Sequence, residues 1–146
     1  MKKQILNVVV TLSVIATLSI AVFAALNNKI TANVPFDFMV NGKTLPAGHY
    51  TVESGSIQSV LVIRSWETRQ AASAITQSCE VGAGSKPQLI FRRYGDQYFL
   101  AQVIGDTGAE LPKSKAEREA ASAGRDRLAM RDAEPEIVTV NAQVGQ

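Results

Sequence analysis

His49 is the single histidine of the chain and Cys79 its single cysteine. Acid–base or thiol chemistry therefore has few places to start. A histidine works as a general base when a serine or cysteine nucleophile faces it. No such context surrounds His49, and nothing like a Gly-x-Ser-x-Gly elbow occurs, so the residues favour a solvent-facing strand histidine. One histidine and one cysteine show no ligand spacing, so neither a metal nor a cofactor is expected. Cys79 reads as a small buried hydrophobe; exposed, it could bridge two chains in an oxidising compartment.

Asp37 stands between Phe36 and Phe38. It could be a carboxylate in a binding groove facing Arg92 or Arg93. The plainer reading is a strand-edge charge that discourages edge pairing or makes a local ion pair. Arg92, Arg93, Tyr94 and Tyr98 mix cations with aromatic rings, a combination that can stack on sugars or bases; cross-strand Tyr–Arg packing is the simpler account. Asp37, His49, Arg92, Tyr94 and Tyr98 together form the candidate binding surface. No catalytic residue is assigned, because no nucleophile–base pair is visible.

The elements that must position these groups begin at Ile30. Ile30, Ala32, Val34, Phe36, Phe38 and Val40 recur at a period of two, which places them on the inner face of a half-buried strand. Pro35 lacks an N–H, so that strand is expected to be an edge or to bulge there. Asn41-Gly42 suits a hairpin turn, and Leu45-Pro46-Ala47-Gly48 a second turn. On the return, Tyr50 and Val52 face inward and His49, Thr51 and Glu53 outward. Val60 to Trp66 is strongly β-prone, with Leu61, Ile63 and Ser65 on one side. After a reversal at 67–70, Ala72 to Cys79 reads as a weaker strand. Leu89–Tyr94 and Tyr98–Ile104 form the clearest hairpin. A three-residue loop, Gly95-Asp96-Gln97, would put Leu89, Phe91, Phe99 and Val103 on one face, and Arg92, Tyr94, Tyr98 and Leu100 on the other. Ser114 and Glu117 fit a capping box that opens a helix to about Ala123, with Gly124 near its end and a thin face of Ala116, Ala120 and Ala123. From Val138 to Val144 alternation returns, either as a last strand or as a tail that orders against a partner.

The chain opens with Lys2 and Lys3, followed by an uncharged apolar run from Ile5 to Leu26. A basic start, an apolar middle and a small-residue end describe a secretory signal, with Val22-Phe23-Ala24 as the site of a cut after Ala24. The run also approaches the roughly 20 residues that span a bilayer, so an uncleaved anchor is the alternative. Without Lys2 and Lys3, thirteen basic residues face thirteen acidic ones. That balance gives no general attraction to nucleic acid. One cysteine permits no internal disulfide, so the fold must rest on its core and its ladders.

The stretches NVPFDFMVNGKTLPAGHYTV, FRRYGDQYFLAQV and ELPKSKAERE carry a resemblance. Across residues 33 to 119 the chain resembles the small exported β-proteins of acidobacterial proteomes, in which a VPFDF strand, an LPAGxY turn, an RYGDxYFL hairpin and an LPxSxAERE helix start follow in this order. The resemblance implies export and a β-rich fold. It implies no activity, since none is established for that family.

The expected architecture is mainly β: a small antiparallel barrel or sandwich of about six to seven strands, one C-terminal surface helix, and an N-terminal hydrophobic signal helix. The expected divisions are a signal at 1–24, a linker at 25–29, a β-rich domain with the helix at 30–124, and a tail at 125–146. The expected role is an exported, non-enzymatic binding or structural domain of the cell envelope, periplasmic or extracellular, or membrane-anchored if the signal is retained. Its partner would be an envelope protein or a small ligand. Alternatives are a small barrel holding an apolar or aromatic ligand and, less in keeping with the residues, a hydrolase.

Overall fold

The alternation that begins at Ile30 does not carry one strand as far as Val40. The structure, a computed structural model, describes residues 29–55, 59–128 and 134–145. The expected signal or anchor lies outside those residues. Strand β1 (Ile30–Val34) stops just before Pro35, and β2 (Phe38–Val40) starts beyond Asp37. Pro35 has no N–H to give a ladder. It stands just outside one, neither on an edge strand nor in a bulge, because β1 is paired on both sides, to β4 and to β11. The inner face is nonetheless kept: Ile30, Ala32, Val34, Phe38 and Val40 are buried.

Asn41 and Gly42 take φ angles of 49° and 82°, the two positive values that a type I′ loop requires. They join β2 to β3 (Lys43–Leu45), with Val40 opposite Lys43. Past Pro46, β4 (Gly48–Ser54) returns beside β1 and pairs Thr51 with Thr31. Tyr50 and Val52 are buried, while His49 and Glu53 are exposed. Thr51 lies on the outer side yet is also buried: the Trp66 indole covers it and donates from Nε1 to Thr51 Oγ1.

β5 (Val60–Ser65) buries Leu61, Ile63 and Ser65. The reversal that follows sends the chain into β6 (Ala71–Ile75). The segment expected as one strand to Cys79 divides at Thr76, so that β6 pairs with β5 while β7 (Gln77–Cys79) pairs elsewhere. Its inward face is made by Ala72, Ala74 and Thr76, all buried. Next come β8 (Gln88–Tyr94), β9 (Gln97–Ile104), β10 (Gly108–Glu110), helix α1 (Lys115–Leu128) and β11 (Glu136–Val144). The helix continues past Gly124, and Ala123 is exposed.

Nine strands follow one another in the order β3-β2-β9-β8-β11-β1-β4-β5-β6, forming a nearly closed, barrel-like sheet. β11 is interior. Glu136 to Asn141 pair with β8, and Ala142 to Val144 pair with β1. β2 and β9 run parallel where Met39 meets Phe99, and the other pairs are antiparallel. Eleven strands occur among the described residues, not six or seven. The difference lies in β2, β3, β7 and β10, each three residues long. Runs that short show no measurable period.

The gap in the barrel separates β6 from the β2–β3 hairpin. There, side chains stand in for a ladder: Lys43 Nζ donates to Ala71 O at 2.7 Å and Asn41 Nδ2 to Ser73 O at 3.5 Å. Beyond Thr76 the wall is stitched by β7 pairing with β10 and β10 with β9.

The β8–β9 hairpin has a two-residue loop in place of the expected three. Tyr94 pairs with Gln97 across Gly95-Asp96. Gly95 has φ 59°, the value that a type II′ turn asks of its first loop residue. A register shift follows, so that Phe91 faces Leu100 whereas Ile90 faces Gln102, and Ala101 is left as the extra residue of a bulge. The bulge decides the faces. Tyr98 and Leu100 join Leu89, Phe91 and Val103 inside, while Phe99 lies across from Arg92 on the outer side, the reverse of the expected assignment for those three β9 residues.

The interior is filled by side chains. Phe36 meets Phe91 at 5.1 Å, Phe91 meets Phe38 at 5.3 Å and Phe38 meets Tyr50 at 5.0 Å, each edge to face. Such pairs contribute about 0.5–1.5 kcal/mol each beyond area burial. Around them pack Val34, Val40, Leu45, Val52, Ile63 and Leu89, all essentially inaccessible to solvent.

Candidate functional site

Outer positions of a barrel strand alternate with core positions, so Arg92 and Tyr94 point out of the wall beside Phe99. α1 covers them. Ser114 starts the helix as expected: its Oγ accepts from Glu117 N at 3.2 Å and its carbonyl from Arg118 N at 3.0 Å. The Glu117 side chain, however, does not turn back to close a capping box. It goes down onto the sheet and is 2% exposed. Arg92 Nε donates to Glu117 Oε1 at 2.6 Å and Arg92 Nη2 to Oε2 at 3.3 Å. Arg92 Nη2 also donates to Leu111 O at 3.2 Å, and Tyr94 Oη donates to Glu117 Oε1 at 3.3 Å. Burial pushes the Tyr94 phenol above its ordinary value, and the neighbouring Glu117 charge acts in the same direction.

A buried ion pair has a desolvation penalty that its attraction can fail to offset. This one is satisfied on both sides, and no buried side-chain polar atom among the described residues lacks a partner. Beside it opens a cavity of about 150 Å³, lined by Met39, Ile75, Phe99, Leu111, Ser114 and Glu117 among others. It marks the junction where β2 leaves β9, β6 passes unpaired and α1 begins. Its walls combine apolar side chains with the polar groups of Asn41, Ser114 and Glu117.

The five candidate residues do not converge. Arg92 and Tyr94 meet at Glu117. Tyr98 is on the inner side of the same hairpin, stacked on Phe36 at 3.9 Å with the Arg93 guanidinium 5.3 Å from its ring centre. Arg93 itself pairs with Glu136 at 3.0 Å. Asp37 faces neither arginine; its Oδ1 accepts from Ala47 N at 2.9 Å and holds the turn that leads to β4. His49 lies at the far side of β4, with Nδ1 2.9 Å from Glu67 Oε1.

The His49–Glu67 pair supplies a carboxylate that orients an imidazole, which is part of a hydrolytic arrangement. Both side chains are more than half exposed. No serine or cysteine among the described residues is hydrogen-bonded to the ring. Glu67 also accepts from His49 N, and the His49 contacts hold its carboxyl below the usual carboxylate range. Among the described residues no group of three His, Cys, Asp or Glu side chains could hold a metal ion. Cys79 is half-buried, its thiol pushed up mainly by burial.

Glu117 is the residue that reasoning from sequence passed over. Its position three residues after Ser114 explained it fully as a cap. The usable signal was Arg92, a cation between Ile90 and Tyr94 on a strand face with little else that is polar. Set against known family models, curated proteins and solved structures, the chain matches none.

Proposed function

We propose that the chain is an exported, non-enzymatic β-barrel domain with a binding or structural role in the cell envelope, and that it binds at the junction beside Glu117. The observation that carries this reading is the coincidence of three features at one place: an interrupted barrel wall, a cavity with both apolar and polar lining, and an ion pair buried against it. Export is supported by the basic and apolar start of the sequence, and by its resemblance to the exported acidobacterial β-proteins. The balanced charge speaks against nucleic acid as partner.

A second reading, a small apolar or aromatic ligand, draws support from the lining by Met39, Ile75, Phe99 and Leu111. The ligand would sit in the wall, since Phe38, Tyr50 and Phe91 occupy the interior. Methyl-labelled NMR tests both readings. Titration with small aromatic compounds should move the signals of Met39 and Ile75 and leave buried Leu45 and Ile63 in place. A photo-crosslinking residue at Ile75 should capture an envelope protein in cells if the partner is a protein. Silence in both experiments would refute binding at the junction.

A further inference from the structure

Trp66 is the sole tryptophan of the chain and is 63% exposed. Its polar edge is already occupied by Thr51 Oγ1, so what it offers to the surroundings is the hydrocarbon part of the indole. It borders an open groove on the barrel flank, lined also by Lys29, Thr31, Gln143, Val144 and Gly145. Val144 is itself 51% exposed. Gly145 N donates to Lys29 O at 2.7 Å, which fixes the start of the described chain in the floor of this groove.

Lys29 follows the apolar run Ile5–Leu26 by three residues. At about 3.3–3.6 Å per residue, Lys29 can lie no more than about 10 Å from the end of that run. The polar layer on each side of a bilayer is roughly 5–8 Å deep. If the run stays in the membrane, Lys29 is held within or a few Å beyond the headgroup layer, and the groove that it lines is kept near the membrane surface. Tryptophan and lysine are the side chains suited to that layer, one by its amphipathic ring and the other by its long stem and terminal charge.

We propose that the apolar run is retained as a membrane anchor and that the flank bearing Trp66, Lys29 and Val144 rests in the lipid headgroup layer. This inference concerns a different face from the junction beside Glu117 and does not depend on what binds there. It also leaves that junction free. Ile75, 69% exposed, belongs to β6, three strands along the sheet from β1.

The test uses the full chain reconstituted into phosphatidylcholine–phosphatidylglycerol vesicles. Trp66 emission should move to shorter wavelength than in detergent-free denaturant, lose intensity with lipids brominated near the headgroup, and resist aqueous iodide. In a variant with the fluorophore moved, Trp66→Phe with Ile75→Trp, iodide should quench and brominated lipid should not. N-terminal sequencing of the protein recovered from cell membranes should begin upstream of Ala25. Equal iodide quenching at both positions, or a protein that begins at Ala25, overturns the proposal. Protection of Trp66 from iodide without quenching by brominated lipid also overturns it, and would assign the flank to a protein.

Discussion

Replacing Glu117 with alanine should destabilise the domain by about 3 kcal/mol, a value that follows from what the carboxylate holds. Without it, Arg92 Nε loses its partner while Nη2 keeps Leu111 O. Tyr94 Oη loses its acceptor within a buried face. Breaking a buried pair from one side costs about 3–5 kcal/mol. The Arg92 side chain is 12% exposed, so water reaches part of the guanidinium and places the loss at the lower end. A few tenths of a kcal/mol return because alanine is the better helix former. The remainder is a large share of the roughly 5–15 kcal/mol that stabilises a typical domain. Urea unfolding of the chain without residues 1–24, followed by circular dichroism, measures the loss directly. Replacing the whole cluster, Arg92→Met with Tyr94→Phe and Glu117→Met, should recover stability to within about 1 kcal/mol, since no buried polar group is then left alone. An unchanged midpoint for Glu117→Ala would refute the argument, and so would a triple variant as unstable as the single one.

Removing residues 134–146 should abolish cooperative unfolding altogether, because β11 is the shared neighbour of β1 and β8; a sharp thermal transition in the truncated chain would contradict this. Gly95→Ala should cost about 1 kcal/mol, and Gly95→Asn clearly less, as read from urea midpoints: the site is open to added atoms, so the penalty comes from φ 59° alone, which asparagine tolerates. Tyr50 and Tyr94 both have phenols raised by burial. The folded state holds those protons more tightly than the unfolded one. The resulting stability is therefore complete below pH of about 10 and is lost as pH rises through the folded values. In an ultraviolet titration, Tyr50 and Tyr94 should ionise together with unfolding; ionisation of both in a protein that stays folded would count against it.

Strand faces were the most legible part of this sequence, and their joints the least. Ile30, Ala32 and Val34, or Tyr50 and Val52, alternate over enough residues to commit a side to the core. The barrel path turns on β2, a three-residue strand whose partner β9 is remote in sequence, and no local pattern announces that Met39 will meet Phe99. The β8–β9 hairpin shows how one residue governs the outcome. Its turn could be located from Gly95, yet the bulge at Ala101 re-aims Tyr98, Phe99 and Leu100, and a bulge leaves no mark in the hydrophobic pattern. At the candidate site, Arg92 was visible as a cation out of place. Its answer in Glu117 was hidden, because a glutamate three residues past a helix cap already has a local explanation.

The position of β11 bears on how the protein is made. The strand that joins β8 to β1 is nine residues long and lies at the far end of the chain. The wall cannot be completed until this segment has been made and has reached both β1 and β8. Folding is thereby paced by contacts between segments remote in sequence.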